Sequence, residues 1–81
     1  MLEHSERSTY LLNKSRRAIE SGHAGWAQQP ISEKLAIALV LNRADWLEDL
    51  GYTIADAIEL AGKEWVSVLP QVARRILEEE L

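Results

Sequence analysis

The side chains that most often perform chemistry in proteins are sparse in this chain. It contains no cysteine and two histidines, His4 and His23, which lie 19 positions apart. A zinc site normally takes three or four protein ligands, so carboxylates would have to supply most of them. The sequence has no G-x-S-x-G turn for nucleophilic catalysis and no glycine-rich phosphate loop. We therefore predict a protein that is not an enzyme and that has no metal or cofactor site.

Negative charge is the strongest chemical feature of the sequence. The chain carries 13 acidic and 9 basic side chains, a net charge of −4, which disfavours a protein that mainly coats nucleic acid. Between residues 44 and 64, six carboxylates are opposed by one lysine. Spacings of three and four residues place carboxylates on one helical face, which either aids solubility or binds a basic protein partner. We predict the second role for an acidic surface consisting of Asp45, Glu48, Asp49, Asp56 and Glu59.

Basic residues support an alternative, a small helix-turn-helix-like DNA-binding regulator. Residues 53–71 approach the spacing of that motif, with a short first helix and a turn at Gly62. Against it, Pro70 interrupts the second helix, and residues 65–71 contain no Lys or Arg to contact DNA. The cations available for a composite basic face are Lys14, Arg16, Arg17, Arg74 and Arg75.

Three tryptophans are the largest side chains of a sequence that lacks phenylalanine. Trp46 and Trp65 fall on the apolar stripes of predicted helices, so we assign them to the core. Trp26 lies in a predicted loop, where it either fills the core or anchors a partner at the surface. Both interpretations stay open, and Trp26 is a candidate partner-binding residue.

Apolar periodicity and capping residues predict helices along most of the chain. Thr53 followed by Asp56 is a short-armed capping box, and Gly51 suits the left-handed end of the preceding helix. Residues 22–31 are predicted to be a loop because they contain two glycines and a proline. The predicted helices are 8–21, 32–50, 53–61, 63–69 and a last one from about Leu69.

Helix-forming residues dominate the composition, and 81 residues are enough for one hydrophobic core. We predict an all-α fold, a compact bundle of four or five short helices around one long central helix, 32–50. Residues 1–7 are expected to form a disordered or flexible arm, and 8–81 a single helical domain. The longest apolar run, 35–41, is too short to cross a membrane, and no secretory signal is visible, so we expect a cytoplasmic location.

The first half of the predicted central helix is apolar on nearly every face. Leu35 and Leu39 form one stripe, and Ile37, Val40 and Leu41 fill the remaining directions. Such a helix must be surrounded by other helices or must pair with a second chain. A helical homodimer with a structural role is therefore a third alternative.

The run from Asn42 to Ile58, NRADWLEDLGYTIADAI, together with Glu64 and Trp65, resembles a pattern in small uncharacterised helical proteins of proteobacterial mobile elements and phages. The resemblance covers about half of the chain and contains no catalytic motif. It implies an accessory factor that regulates the element or disarms host machinery, as small inhibitors of nucleic-acid-binding complexes do. It carries over no functional residues.

Overall fold

The computed structural model describes residues 3–80, and within that range it contains six helices and no strand. The predicted all-α fold is confirmed, with one long helix packed against shorter ones. In chain order the helices are α1 (His4–Ala27), α2 (Ile31–Val40), α3 (Ala44–Asp49), α4 (Ile54–Ala61), α5 (Lys63–Val66) and α6 (Leu69–Glu80).

Helix α1 is the long one, and it starts earlier and ends later than the sequence predicts. Residues 4–7 of the expected flexible arm form its first turn, and residues 1–2 lie outside the described range. At the other end the chain bends at Gly22 (φ 72°, ψ −162°) and then continues as helix to Ala27. The prediction of a loop over 22–31 is therefore wrong except at residues 28–30, which connect α1 to α2.

The predicted long helix over 32–50 is two helices, α2 and α3. Asn42 between them has a φ of 55°, which asparagine tolerates better than most residues. Its N–H donates to the carbonyl of Leu39, and the N–H of Arg43 donates to the carbonyl of Ala38 at 2.9 Å. These two bonds form the Schellman motif that ends a helix. Asn42 was therefore the signal for the break, and the predicted 32–50 helix is wrong on this point.

Helix α2 lies at the centre of the bundle and packs against α1, α3, α4, α5 and α6. Four consecutive residues, Leu35 to Ala38, have no exposed surface. The all-round apolar character of this segment is thus explained within one chain, and the segment offers no surface to a second one. The other helices, and Val68 in the turn between α5 and α6, contribute the rest of the core, which includes Leu11, Ala18, Trp26, Trp46, Leu47, Ala57, Ala61, Val68, Val72 and Ile76.

The capping and turn residues predicted around α4 and α6 have the expected conformations in the structure. The capping box is confirmed: Thr53 Oγ1 accepts from the Asp56 N–H, and the Thr53 N–H donates to Asp56 Oδ2 at 3.0 Å. Gly51 has the expected positive φ of 79°. Pro70 lies in the first turn of α6, where its missing N–H costs no helical hydrogen bond. None of the described helices has both the length and the hydrophobicity needed to span a membrane.

Candidate functional site

All five residues of the acidic surface are solvent-exposed, on or immediately beside two helices that pack together, α3 and α4. They differ, however, in what they contact. Three of them, Asp45, Asp49 and Asp56, contact other groups of the chain through their carboxylates.

Asp45 is paired with Arg43, two residues earlier. The guanidinium donates two hydrogen bonds to the carboxylate, at 3.0 Å from Nε and 2.8 Å from Nη2. These bonds lower the pKa of Asp45. The same guanidinium lies 4.5 Å from the ring centroid of Trp46, a cation–π distance. Asp45 is therefore neutralised locally and helps to hold Arg43 over the core tryptophan.

Asp49 contacts His23, which lies just after the bend in α1. Nε2 of His23 is 2.9 Å from Oδ2 of Asp49. The imidazole also lies 5.1 Å from the Trp26 ring and 5.8 Å from the Trp46 ring, centroid to centroid. This contact connects the end of α1 to α3. No sequence pattern indicates this contact, because the two residues are far apart in the chain.

Asp56 has a structural role in the capping box. Its carboxylate accepts the backbone N–H of Thr53, and this bond lowers the pKa of Asp56. The negative charge also lies at the positive end of the α4 dipole. Asp56 is exposed, but its strongest contacts are within its own helix terminus.

Glu48 and Glu59 are the two members of the acidic surface whose side chains make no hydrogen bond or ion pair to any residue in the range 3–80. Two apolar side chains on α4 are also left about half exposed, Ile54 at 52% and Ile58 at 45%. Ile54 borders a hollow of about 160 Å³ between α2, α3 and α4 that Ala44 also lines. Glu48 is one helical turn from Ala44 on α3, and α3 packs against α4, which carries both isoleucines.

Trp26 is part of the core, and its predicted role as a surface anchor is wrong. The side chain is 1% exposed, its ring centroid lies 4.8 Å from that of Trp46, and its Nε1–H donates to the carbonyl of Lys34 at 2.7 Å. The bend at Gly22 turns the last part of α1 so that Trp26 reaches this position. The core assignment of Trp46 is confirmed, whereas Trp65 is half-buried and stacks on Tyr10.

The five basic residues of the DNA-binding alternative do not form one cluster. Arg16 and Arg75 both bind the carboxylate of Glu79. Lys14 instead donates to Gln29 at 2.9 Å and, with Arg17, lines a hollow on a different side of α1. Arg74 is exposed on α6. The second helix of the proposed helix-turn-helix is α5, a single turn of four residues, which is too short to act as a recognition helix.

Acid sensitivity follows from three carboxylates. Hydrogen bonds from Arg43, Thr53 and Arg16 lower the pKa of Asp45, Asp56 and Glu79, respectively. Each pKa is lower in the folded state than in the unfolded state. The contribution of these contacts to the free energy of unfolding is therefore complete at neutral pH and is lost as the pH falls below about 4.

We therefore expect a lower urea midpoint at about pH 3 than at pH 7, measured by circular dichroism. Glu79→Gln should show a smaller decrease than the parent. Glu80→Gln removes a carboxylate without an ion pair to any described residue and should behave as the parent does. Equal acid sensitivity of all three proteins would show that the Glu79 contacts contribute nothing.

Within residues 3–80 no group of three or more metal-ligating side chains converges. Comparisons of the chain with protein-family models, with curated proteins and with solved structures give no match.

Proposed function

We propose that this chain is a non-enzymatic protein-interaction module of the cytoplasm, whose acidic surface binds a basic segment of a partner protein. The observation that carries the proposal concerns two helices that pack together, α3 and α4. They expose Glu48 and Glu59, carboxylates without an internal cation, and Ile54 and Ile58, isoleucines about half exposed. Of the acidic surface, Glu48 and Glu59 are the residues available to a partner, while Asp45, Asp49 and Asp56 support the local structure.

A partner with both cationic and apolar side chains fits this combination best. Charged groups at the margin of an interface accelerate association and select the partner, while apolar side chains supply burial. Ile54 and Ile58 are one turn apart on α4, so they form a continuous apolar strip for one helix or strand of the partner. A second copy of the chain would bring carboxylates against carboxylates at this surface, which disfavours self-association there.

The role that we propose for such a module is that of an accessory or inhibitor factor. A basic protein surface commonly binds nucleic acid through its lysine and arginine side chains. A small acidic protein that covers such a surface competes with the nucleic acid for the same cations. The net charge of −4 supports this role.

The test uses the parent and two matched double variants as baits in parallel capture from a host lysate. Glu48→Gln with Glu59→Gln removes the two free carboxylates. Glu20→Gln with Glu64→Gln makes the same change in net charge at two other exposed positions. Captured proteins are identified by mass spectrometry, and any specific one is purified for titration.

We expect a partner that the parent and the control retain and that the Glu48/Glu59 variant binds about tenfold more weakly, because marginal ion pairs contribute about 0.2–1 kcal/mol each and removing them leaves the partner's cations unpaired. The affinity of the parent should also fall with added salt. Equal binding by both double variants, or no partner retained by the parent, would refute the acidic surface as the binding site.

A further inference from the structure

A small hollow at the bend of α1 has a positive lining. Its volume is about 20 Å³, and its walls include Lys14 and Arg17 from before the bend at Gly22 and Trp26 and Gln29 from after it. None of the described residues that line it is acidic. The bend therefore brings two cations and one side-chain amide together at a single place on the surface, above a buried tryptophan.

Lys14 and Gln29 orient one another through a hydrogen bond. Nζ of Lys14 donates to Oε1 of Gln29 at 2.9 Å, and the ammonium also lies 5.4 Å from the ring centroid of Tyr10. Because Oε1 of Gln29 accepts this bond, the Nε2 group of the same amide keeps its N–H donors. Neither these donors nor the remaining N–H groups of Lys14 form a further hydrogen bond or an ion pair within residues 3–80. The pair therefore offers oriented donors to a ligand.

Arg17 brings a second positive charge that the described part of the chain does not neutralise. Its side chain is exposed and makes no hydrogen bond or ion pair to any residue between 3 and 80. Glu33 reaches this region through Tyr10, whose hydroxyl donates to it at 2.7 Å. Glu33 forms no ion pair with Lys14 or Arg17. Both cations at the hollow are thus available to an anion from outside the chain.

Size and charge together indicate the class of anion. A cavity of about 10–15 Å³ holds one water molecule, so the hollow of about 20 Å³ admits one oxygen atom of an anion while the rest stays at its mouth. A phosphate group has further oxygens for the ammonium of Lys14 and for the guanidinium of Arg17, which matches two phosphate oxygens at once. Nucleic acid is disfavoured, because two cations on a chain of net charge −4 provide few contacts to a polyanion.

We infer that the hollow at the bend of α1 is a binding site for the phosphate group of a small molecule. Lys14 and Arg17 neutralise the charge of the phosphate, and Nε2 of Gln29 donates a hydrogen bond to it. The remainder of the ligand lies outside the hollow. This site uses no residue of the acidic surface, so it stands or falls independently of the proposed protein partner.

Titration followed by NMR spectroscopy tests the inference directly. The probes are inorganic phosphate and glycerol phosphate, with sodium chloride at equal ionic strength as the reference, because salt alone screens charge. The side-chain amide signals of Gln29 should shift and saturate with a dissociation constant of about 1 mM. Those of Gln71, which lies beside Arg74 and Arg75 in another hollow, should not shift. Similar affinity for both probes, or tighter binding of glycerol phosphate, supports the inference.

Two matched double variants assign the binding to this hollow. Lys14→Gln with Arg17→Gln removes both cations and should weaken phosphate binding about tenfold. Lys63→Gln with Arg74→Gln makes the same change in net charge at two exposed cations that have no ion pair to a described residue, and it should bind as the parent does.

Circular dichroism checks that each variant is folded. Arg17→Gln alone serves if the first double variant does not fold, because the Arg17 side chain makes no hydrogen bond or ion pair to residues 3–80, and it should also weaken binding. The absence of a saturable shift in the parent, or equal affinity of the two double variants, would overturn the inference. So would tighter binding of a single-stranded oligonucleotide than of glycerol phosphate at the same residues.

Discussion

Replacing Trp26 with alanine lowers the free energy of unfolding by about 3–5 kcal/mol, the cost of truncating a large buried aromatic side chain. The indole is 1% exposed, packs against Trp46 and donates a hydrogen bond to the carbonyl of Lys34. Truncation removes this packing and leaves the carbonyl without that donor. For a domain of this size the loss approaches the total stability. The measurement is urea denaturation followed by circular dichroism.

Two controls separate the packing of Trp26 from a general effect of tryptophan removal. Trp26→Phe keeps most of the ring volume and loses the Nε1–H donor, so we expect an intermediate loss. Trp65→Ala removes a half-buried tryptophan that stacks on Tyr10, and it should cost less than Trp26→Ala. A loss at Trp26 no larger than that at Trp65 would contradict the placement of Trp26 in the core.

Substitution of Gly22 has the second largest expected effect on the free energy of unfolding. Whether the protein is destabilised or stabilised depends on whether the new residue is an L- or a D-amino acid. With φ 72° and ψ −162°, an L-residue is strained by about 1–3 kcal/mol. A Cβ added at Gly22 meets no atom within 4 Å, so the strain arises from the backbone and not from a clash. We expect Gly22→Ala to destabilise the fold by that amount.

D-alanine at position 22 is the matched experiment, and 81 residues are within reach of chemical synthesis. A D-residue adopts these angles as readily as an L-residue adopts their mirror image. It also restricts the unfolded chain, so we expect it to stabilise the protein by about 0.4–1 kcal/mol over glycine. Denaturation of the glycine, L-alanine and D-alanine proteins gives the comparison. Equal stability of the two alanine proteins would show that the bend does not have this geometry.

The sequence predicted the features that depend on neighbouring residues. The capping box at Thr53 and the left-handed Gly51 both follow from spacings of a few residues, and the structure contains them. The all-α fold was predictable because helix-forming residues dominate the composition. The break at Asn42 was also local, but the apolar pattern continues through it and concealed it.

Features that depend on distant packing were not predictable from the sequence. Gly22 was predicted to end the first helix. No residue near it in the sequence indicates that the chain becomes helical again after the bend and buries Trp26. The five carboxylates of the acidic surface lie at exposed positions of α3 and α4, whereas its role in binding stays a prediction. The contact of Asp49 with His23 was missed, since these two residues are brought together only by folding.

The central position of α2 has a consequence for the order in which the protein is made. Its fully buried residues, Leu35 to Ala38, are covered in part by α4 and α6, which the ribosome synthesises later. Until those helices emerge, the nascent chain exposes an apolar segment with no polar face. Burial of this segment is therefore complete only after α4 and α6 have left the ribosome, so α1 and α2 alone do not form the core.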